Sequence, residues 1–277
     1  MPNPKQLPHL IKLLEDDSPT VRNSVLKELA SFGSSLEVEL ARQTIVLTPD
    51  QKEVVQQLLE DQRRTWLRKN WSRWFTFEHD KQRLEAALSL LAQFLNGFKH
   101  RLSVKNLLDR LAKEYIATHK RHNARTLANF LFKEQRLRGT VPDDYFNPQN
   151  SNLIYVIENK RGIPISLASV YILVGYRLGL KIEGCNFPGH FLAIVYTGEK
   201  KIIVDCFSGG RFIDEETLAN LDTPVQVKLE HLTNLECSAD EIITRMLRNL
   251  INAYQLKKDE ANLQLMKELL EMIPNVS

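Results

Sequence analysis

Residues 147–168 read NPQNSNLIYVIENKRGIPISLA, residues 184–195 read GCNFPGHFLAIV, and residues 202–211 read IIVDCFSGGR. The first block leads into an almost unbroken apolar run, Ile163 to Leu178, with a proline one residue in and Gly179 at its end. Proline costs nothing in the first turn of a helix, and a glycine just past the end supplies the left-handed cap. A helix apolar on nearly every face must be packed on all sides, so this one is expected at the centre of a domain. Strand-like segments follow at about 184–187, 190–197 and 200–207, the last two joined by the hairpin signal Thr197-Gly198-Glu199-Lys200. If that loop is two or four residues long, His190 and Asp205 fall on one sheet face, opposite or diagonal to each other. Helix, histidine and aspartate in that order form a skeleton on which thiol chemistry can be built.

Outside this stretch the chain reads as helices. Residues 8–33 give a helical hairpin broken at Asp16-Asp17-Ser18-Pro19, with Ser18 as N-cap and Gly33 as C-cap. One such hairpin is faintly HEAT-like, but no second copy accompanies it. Thr48-Pro49-Asp50 opens a long helix to about Trp74, in which Arg63, Arg64, Arg68, Lys69 and Arg73 alternate with Trp66, Trp71 and Trp74. Cations with aromatics suit a nucleic-acid face, yet Trp66 and Trp74 share a helix face, and a core stripe with solvated cations is the simpler account. The basic cluster Lys113, His119, Lys120, Arg121, His122 and Arg125 reads as an exposed turn between two helices spanning 102–132. Ser151 is placed to cap a short helix to about Glu158. Asp214 to Thr217 begins a further short helix, and an extended stretch follows Pro224. The pattern Ser238-x-x-Glu241 opens a helical hairpin running to Pro274.

Composition bounds the function classes. A formal charge of +3 over 277 residues makes no global demand for nucleic acid or an anionic membrane. Three cysteines (Cys185, Cys206, Cys237) are too few and odd in number for a disulfide framework. With no basic-then-apolar segment at the start and no convincing membrane span, a cytoplasmic protein is expected. Phosphate loops and the H-E-x-x-H and G-x-S-x-G patterns are absent, so no cofactor is expected. Cys185, His190, Asp205 and Cys206 are chemically suited to zinc, but their spacing matches no ligand pattern and strand alternation separates the last two, so no metal is expected.

The segments N-P-x-N-S-x-L-x-x-V, R-G-I-P-I-S-L-A, N-F-P-G-H-F-L and D-x-F-x-G-G-R resemble the bacterial transglutaminase-like family typified by the SirB-type invasion-gene regulator. The likeness reaches back weakly to about Leu84 and forward through residues 245–254, where that family carries a tetratricopeptide-like tail. It implies an α+β fold, mainly helical, with a papain/transglutaminase-like core of one buried helix on a small antiparallel sheet. It implies three regions: 1–77, helical; 78–236, the transglutaminase-like core; and 237–277, the helical-hairpin tail.

In the wider superfamily a cysteine starts the central helix, and a histidine and an aspartate follow on adjacent strands. The helix terminus stabilises the thiolate, the imidazole is its base, and the carboxylate orients the ring. The cysteine position is occupied here by Pro164, which offers no nucleophile. His190 and Asp205 remain as the candidate catalytic pair. Ser166, about 200° further round the helix, is expected to point away from them, and Cys206 to face opposite to Asp205. Cys185 is the one alternative nucleophile. The resemblance therefore implies a silent regulatory module that binds a protein or peptide, with a hydrolase or acyltransferase using His190 and Asp205 with Cys185 or water as the alternative.

Overall fold

The computed structural model describes residues 2–99, 102–187, 190–197, 200–213 and 236–274. The helix expected from Asp214 and the extended stretch after Pro224 lie outside the described residues. The fold is α+β and mainly helical, with a small antiparallel sheet. It divides into two compact units, residues 1–71 with 93–101, and residues 72–92 with 102–277. Among the described residues, no helix is long and apolar enough to cross a membrane.

The first unit holds α1 (Leu7–Lys12), α2 (Pro19–Ser31), α3 (Ser35–Arg42) and α4 (Pro49–Asn70). Leu7, Ile11, Leu14, Val25, Leu29, Phe32, Leu36 and Val55 form its core, in line with the helical spacing of the apolar residues. Ser18 sits at the N-cap of α2 with Pro19 at N1, but its hydroxyl makes no capping bond. The Ser18 N–H instead donates to Asp16 Oδ1 at 2.9 Å. α4 ends four residues before Trp74, and a 3₁₀ turn, Trp71–Thr76, carries the chain on. Trp71 and Trp74 are fully buried and present no ring for stacking. A buried carboxylate must be paired: Glu37 accepts from Arg63 Nη2 at 2.5 Å and from the Phe98 N–H at 2.8 Å. Gly97 has φ +78°, and a Cβ there would run into that ion pair, so only glycine fits.

The second unit is organised by α9. In chain order its helices are α5 (Asp80–Asn96, of which residues 80–92 belong here), α6 (Val104–Thr118), α7 (Ala124–Asn129), α8 (Leu153–Asn159), α9 (Pro164–Arg177), α10 (Ala239–Lys257) and α11 (Glu260–Glu271). Every residue of α9 from Pro164 to Gly175 is buried, and α6, α7, α8 and α10 pack round it. Its end is closed as the sequence suggests: Gly179 has φ +68°, and the Leu180 N–H returns to the Gly175 carbonyl at 2.9 Å. The cap of α8 is Asn152 rather than Ser151. Its side chain accepts from the N–H groups of Ile154 and Tyr155, while Ser151 lies inside a preceding 3₁₀ turn. α10 opens with the capping box of Ser238 and Glu241, and its Ala239 N–H donates to Asp80 Oδ2 at 3.1 Å.

The strands are β1 (Arg138–Gly139), β2 (Arg161–Gly162), β3 (Ile182–Cys185), β4 (Leu192–Thr197), β5 (Lys200–Asp205), β6 (Arg211–Ile213) and β7 (Glu236–Cys237). β1 and β2 form a short parallel pair; the others form one antiparallel sheet in the order β6-β5-β4-β3-β7. β3 starts and stops two residues earlier than its pattern suggested, and β4 starts two later. Between them His190 is held by a turn bond from its N–H to the Phe187 carbonyl, 3.1 Å, which takes these residues out of the ladder. Ile182, Gly184, Ala193, Val195 and Val204 share one sheet face. This face meets the helices: a Cβ on Gly175 would lie 2.6 Å from Ile182 Cδ1, and one on Gly184 would lie 3.0 Å from Ile242 Cδ1. Cys185, Leu192, Ile194, Ile203 and Ile213 occupy the opposite face with Phe187.

Candidate active site

β4 and β5 pair across a two-residue loop, Thr197 opposite Lys200 and Ala193 opposite Val204. The position facing Leu192 is therefore Asp205, and His190 lies two residues on along the same face. Their side chains meet, with His190 Nε2 3.1 Å from Asp205 Oδ1. Asp205 is buried, and the His190 side chain is 30% exposed. Oδ1 also accepts the N–H groups of Phe207 and Ser208, both at 3.0 Å, so one oxygen fixes the turn after β5 as well as the ring. Burial pushes the Asp205 carboxyl up, but the bonds from His190 and Ser208 outweigh it and hold its pKa down at about 2. The carboxylate is ionised at neutral pH and accepts from the Nε2–H, so in the neutral form of the ring the lone pair is on Nδ1.

Pro164 stands at N1 of α9, buried, where the sequence placed it. The start of α9 is tied to the pair through the backbone. The Thr140 N–H donates to the Gly162 carbonyl at 3.0 Å and the Gly139 N–H to the Phe207 carbonyl at 3.3 Å. The Phe207 ring stands edge-on to His190, 6.2 Å between centroids. A Cβ on Gly139 would lie 2.6 Å from the Phe207 ring, so the missing side chain lets β1 approach it.

None of the other nucleophile candidates is chemically primed. Ser166 is fully buried and donates its hydroxyl proton to the Asn150 carbonyl at 2.7 Å, which commits it to structure. Cys185 and Cys206 are both fully buried, and Cys237 nearly so. Burial pushes the thiols of Cys185 and Cys237 up to about 12, and that of Cys206 well above its ordinary value. Among the described residues, no group of three or more His, Cys, Asp and Glu side chains is placed to hold a metal ion.

Four neighbours carry no role that the sequence assigns. Arg245, on α10, donates to the Phe187 carbonyl at 3.1 Å and to Asn186 Oδ1, bracing the turn that presents His190, and lies over the Phe191 ring at 5.4 Å. Burial pulls its guanidinium down from the usual range. Tyr145 and Phe207 continue an aromatic row: Phe146 to Tyr145 at 5.3 Å, Tyr145 to Phe207 at 6.5 Å, then Phe207 to His190. Phe146, at the outer end, is 49% exposed. No local pattern announces Arg245, 58 residues from its acceptor. The pair Tyr145-Phe146, apolar in a loop, was the available signal for the row.

A family model described as the transglutaminase-like superfamily matches residues 98–248, more than half of the chain. The chain belongs to the transglutaminase-like superfamily. Among curated proteins it is 32% identical to a UPF0162 protein of Xylella fastidiosa, over 53% of this chain and 54% of that one. It is 30% identical to a UPF0162 protein of Pseudomonas aeruginosa, over 60% and 62%. It is also 27% identical to the mouse protein named F-box only protein 21, over 51% of this chain and 23% of that one. The chain thus spans about half the length of the Xylella relatives it matches. No solved structure matches it significantly. Within this transglutaminase-like domain, the matched region contains α9, His190, Asp205 and Arg245.

Proposed function

We propose that the protein is a transglutaminase-like module without a working thiol, related to the SirB-type regulators, which binds a protein or peptide segment and acts through that binding. The observation that carries this reading is Pro164 at the first position of the central helix. A proline there supplies neither a nucleophile nor an N–H, and the chain's three thiols are buried with raised pKa values. The row Phe146, Tyr145, Phe207 and His190 supports a binding role, because partly exposed aromatics give contact area at low entropic cost. Arg245 adds charge beside Tyr145.

A peptide library displayed against the full chain tests this. Binders are expected whose affinity falls at least about tenfold in Phe146→Ala and Tyr145→Ala, the loss of a typical aromatic anchor. Turnover of an acyl or peptide library that disappears in His190→Ala would overturn the silent reading.

A second reading has one observation in its favour. Nε2 is engaged by Asp205, and among the described residues no hydrogen bond reaches His190 Nδ1. A partly exposed imidazole oriented in this way can act as a base toward water. Under this reading the protein is a hydrolase or acyltransferase, and the same turnover assay decides between the two.

A further inference from the structure

The basic cluster between α6 and α7 is more than an exposed turn. His119, Arg125, Thr126 and Lys133 line a cleft of about 680 Å³ whose opposite wall is the loop Ser208 to Phe212. That volume falls within the range of small-molecule sites. Three cations converge on it: Arg125, Lys133 and Arg211. Among the described residues, none of the three has a carboxylate within 4.0 Å. Arg125 is held by stacking instead, its guanidinium 4.1 Å over the Phe212 ring. Cation–π packing orients the fork without using its N–H donors, which stay available for an anion. Glu134, next to Lys133 in the chain, is engaged by two lining residues, His119 Nε2 at 3.2 Å and Asn129 Nδ2 at 3.0 Å.

The loop wall is shaped to let a ligand approach. Gly209 and Gly210 both have positive φ, +76° and +71°. A Cβ on Gly210 would run into the Phe132 ring, whereas at Gly209 it would point into open space. Thr126 and Ser208 also line the cleft, with their hydroxyls engaged by the cap at the start of α7 and by Asp205. Three cations with no carboxylate partner among the described residues, beside a bare glycine wall, make a receptor for an oxyanion with several acceptor oxygens. We propose that this cleft binds a small molecule carrying phosphate groups, of nucleotide size. It lies apart from the aromatic row and does not depend on the peptide-binding reading.

The test is calorimetric titration of the full chain at low salt with ADP, pyrophosphate, adenosine and a short single-stranded oligonucleotide. ADP and pyrophosphate are expected to bind and adenosine not to. Lys133→Gln and Arg211→Gln, both at exposed positions, should each weaken ADP about tenfold, the loss of one charge-assisted hydrogen bond. Their thermal midpoints should stay at the parent value. The proposal is overturned if neither phosphate compound binds, if both variants keep the parent affinity, or if the oligonucleotide binds more tightly than ADP.

Discussion

His190 Nε2 lies 3.1 Å from Asp205 Oδ1, the histidine on the turn before β4 and the buried carboxylate at the end of β5. Burial alone would raise the carboxyl, yet the bonds from His190 and Ser208 bring it to about 2, against 3.8 for an unperturbed aspartate. A depressed folded-state value means that the ionised group stabilises the fold above the unfolded value, and that this contribution is lost as the pH falls through 4 toward 2. It amounts to about 2 kcal/mol. Asp205→Asn is therefore expected to lower urea stability at pH 7 by about that much, with the gap from the parent closing between about pH 4 and pH 2. A gap that does not vary with pH would show that the charge is not what Asp205 contributes.

The three cysteines make a second expectation. With Cys185 and Cys237 pushed up to about 12 and Cys206 fully buried, almost no thiolate is present at neutral pH. A colorimetric thiol reagent should leave all three unreacted in the native protein over minutes and titrate all three in urea. Rapid native labelling of Cys185 that slows in His190→Ala would revive it as a nucleophile.

Arg177 closes α9 on two carboxylates. It donates to Glu85 at 2.7 and 2.8 Å and to Asp109 at 2.6 Å, and its own side chain is only 14% exposed. Burial pulls the guanidinium down, but these bonds and charges outweigh it and raise it overall. Arg177→Met would strand Glu85 near the central helix, while Asp109, 38% exposed, stays in reach of water, and should cost about 2 kcal/mol. Urea denaturation followed by circular dichroism measures this, and a loss under about 1 kcal/mol, the range of an exposed pair, would make it a surface contact.

Much of this architecture was legible because it is local. The apolar run bracketed by Pro164 and Gly179 specifies the central helix, Ser238 with Glu241 specifies the start of the next long one, and the two-residue hairpin loop specifies that His190 and Asp205 share a face. The errors are local as well. Asn152 outcompetes Ser151 as a cap because its longer side chain reaches two N–H groups at once. The apolar pattern carries the strand at 190–197 back through His190, two residues too far, because the Phe187–His190 turn bond leaves no trace in it. What could not be read is set by distance in the chain. Arg245 braces residues 186 and 187, Arg177 reaches back to residues 85 and 109, and Arg125 lies over Phe212. Each contact exists only once the helices are assembled.

One oxygen, Asp205 Oδ1, receives the imidazole and two successive backbone N–H groups. Ring and loop therefore share a single fastening. Any force that draws residues 207 and 208 away from the strand end takes donors from the same atom that holds the histidine, so the ring's orientation reports the loop's conformation. Since Ser208 also borders the cationic cleft, the imidazole is a natural gauge, readable by proton resonance, of what happens on that loop's far side.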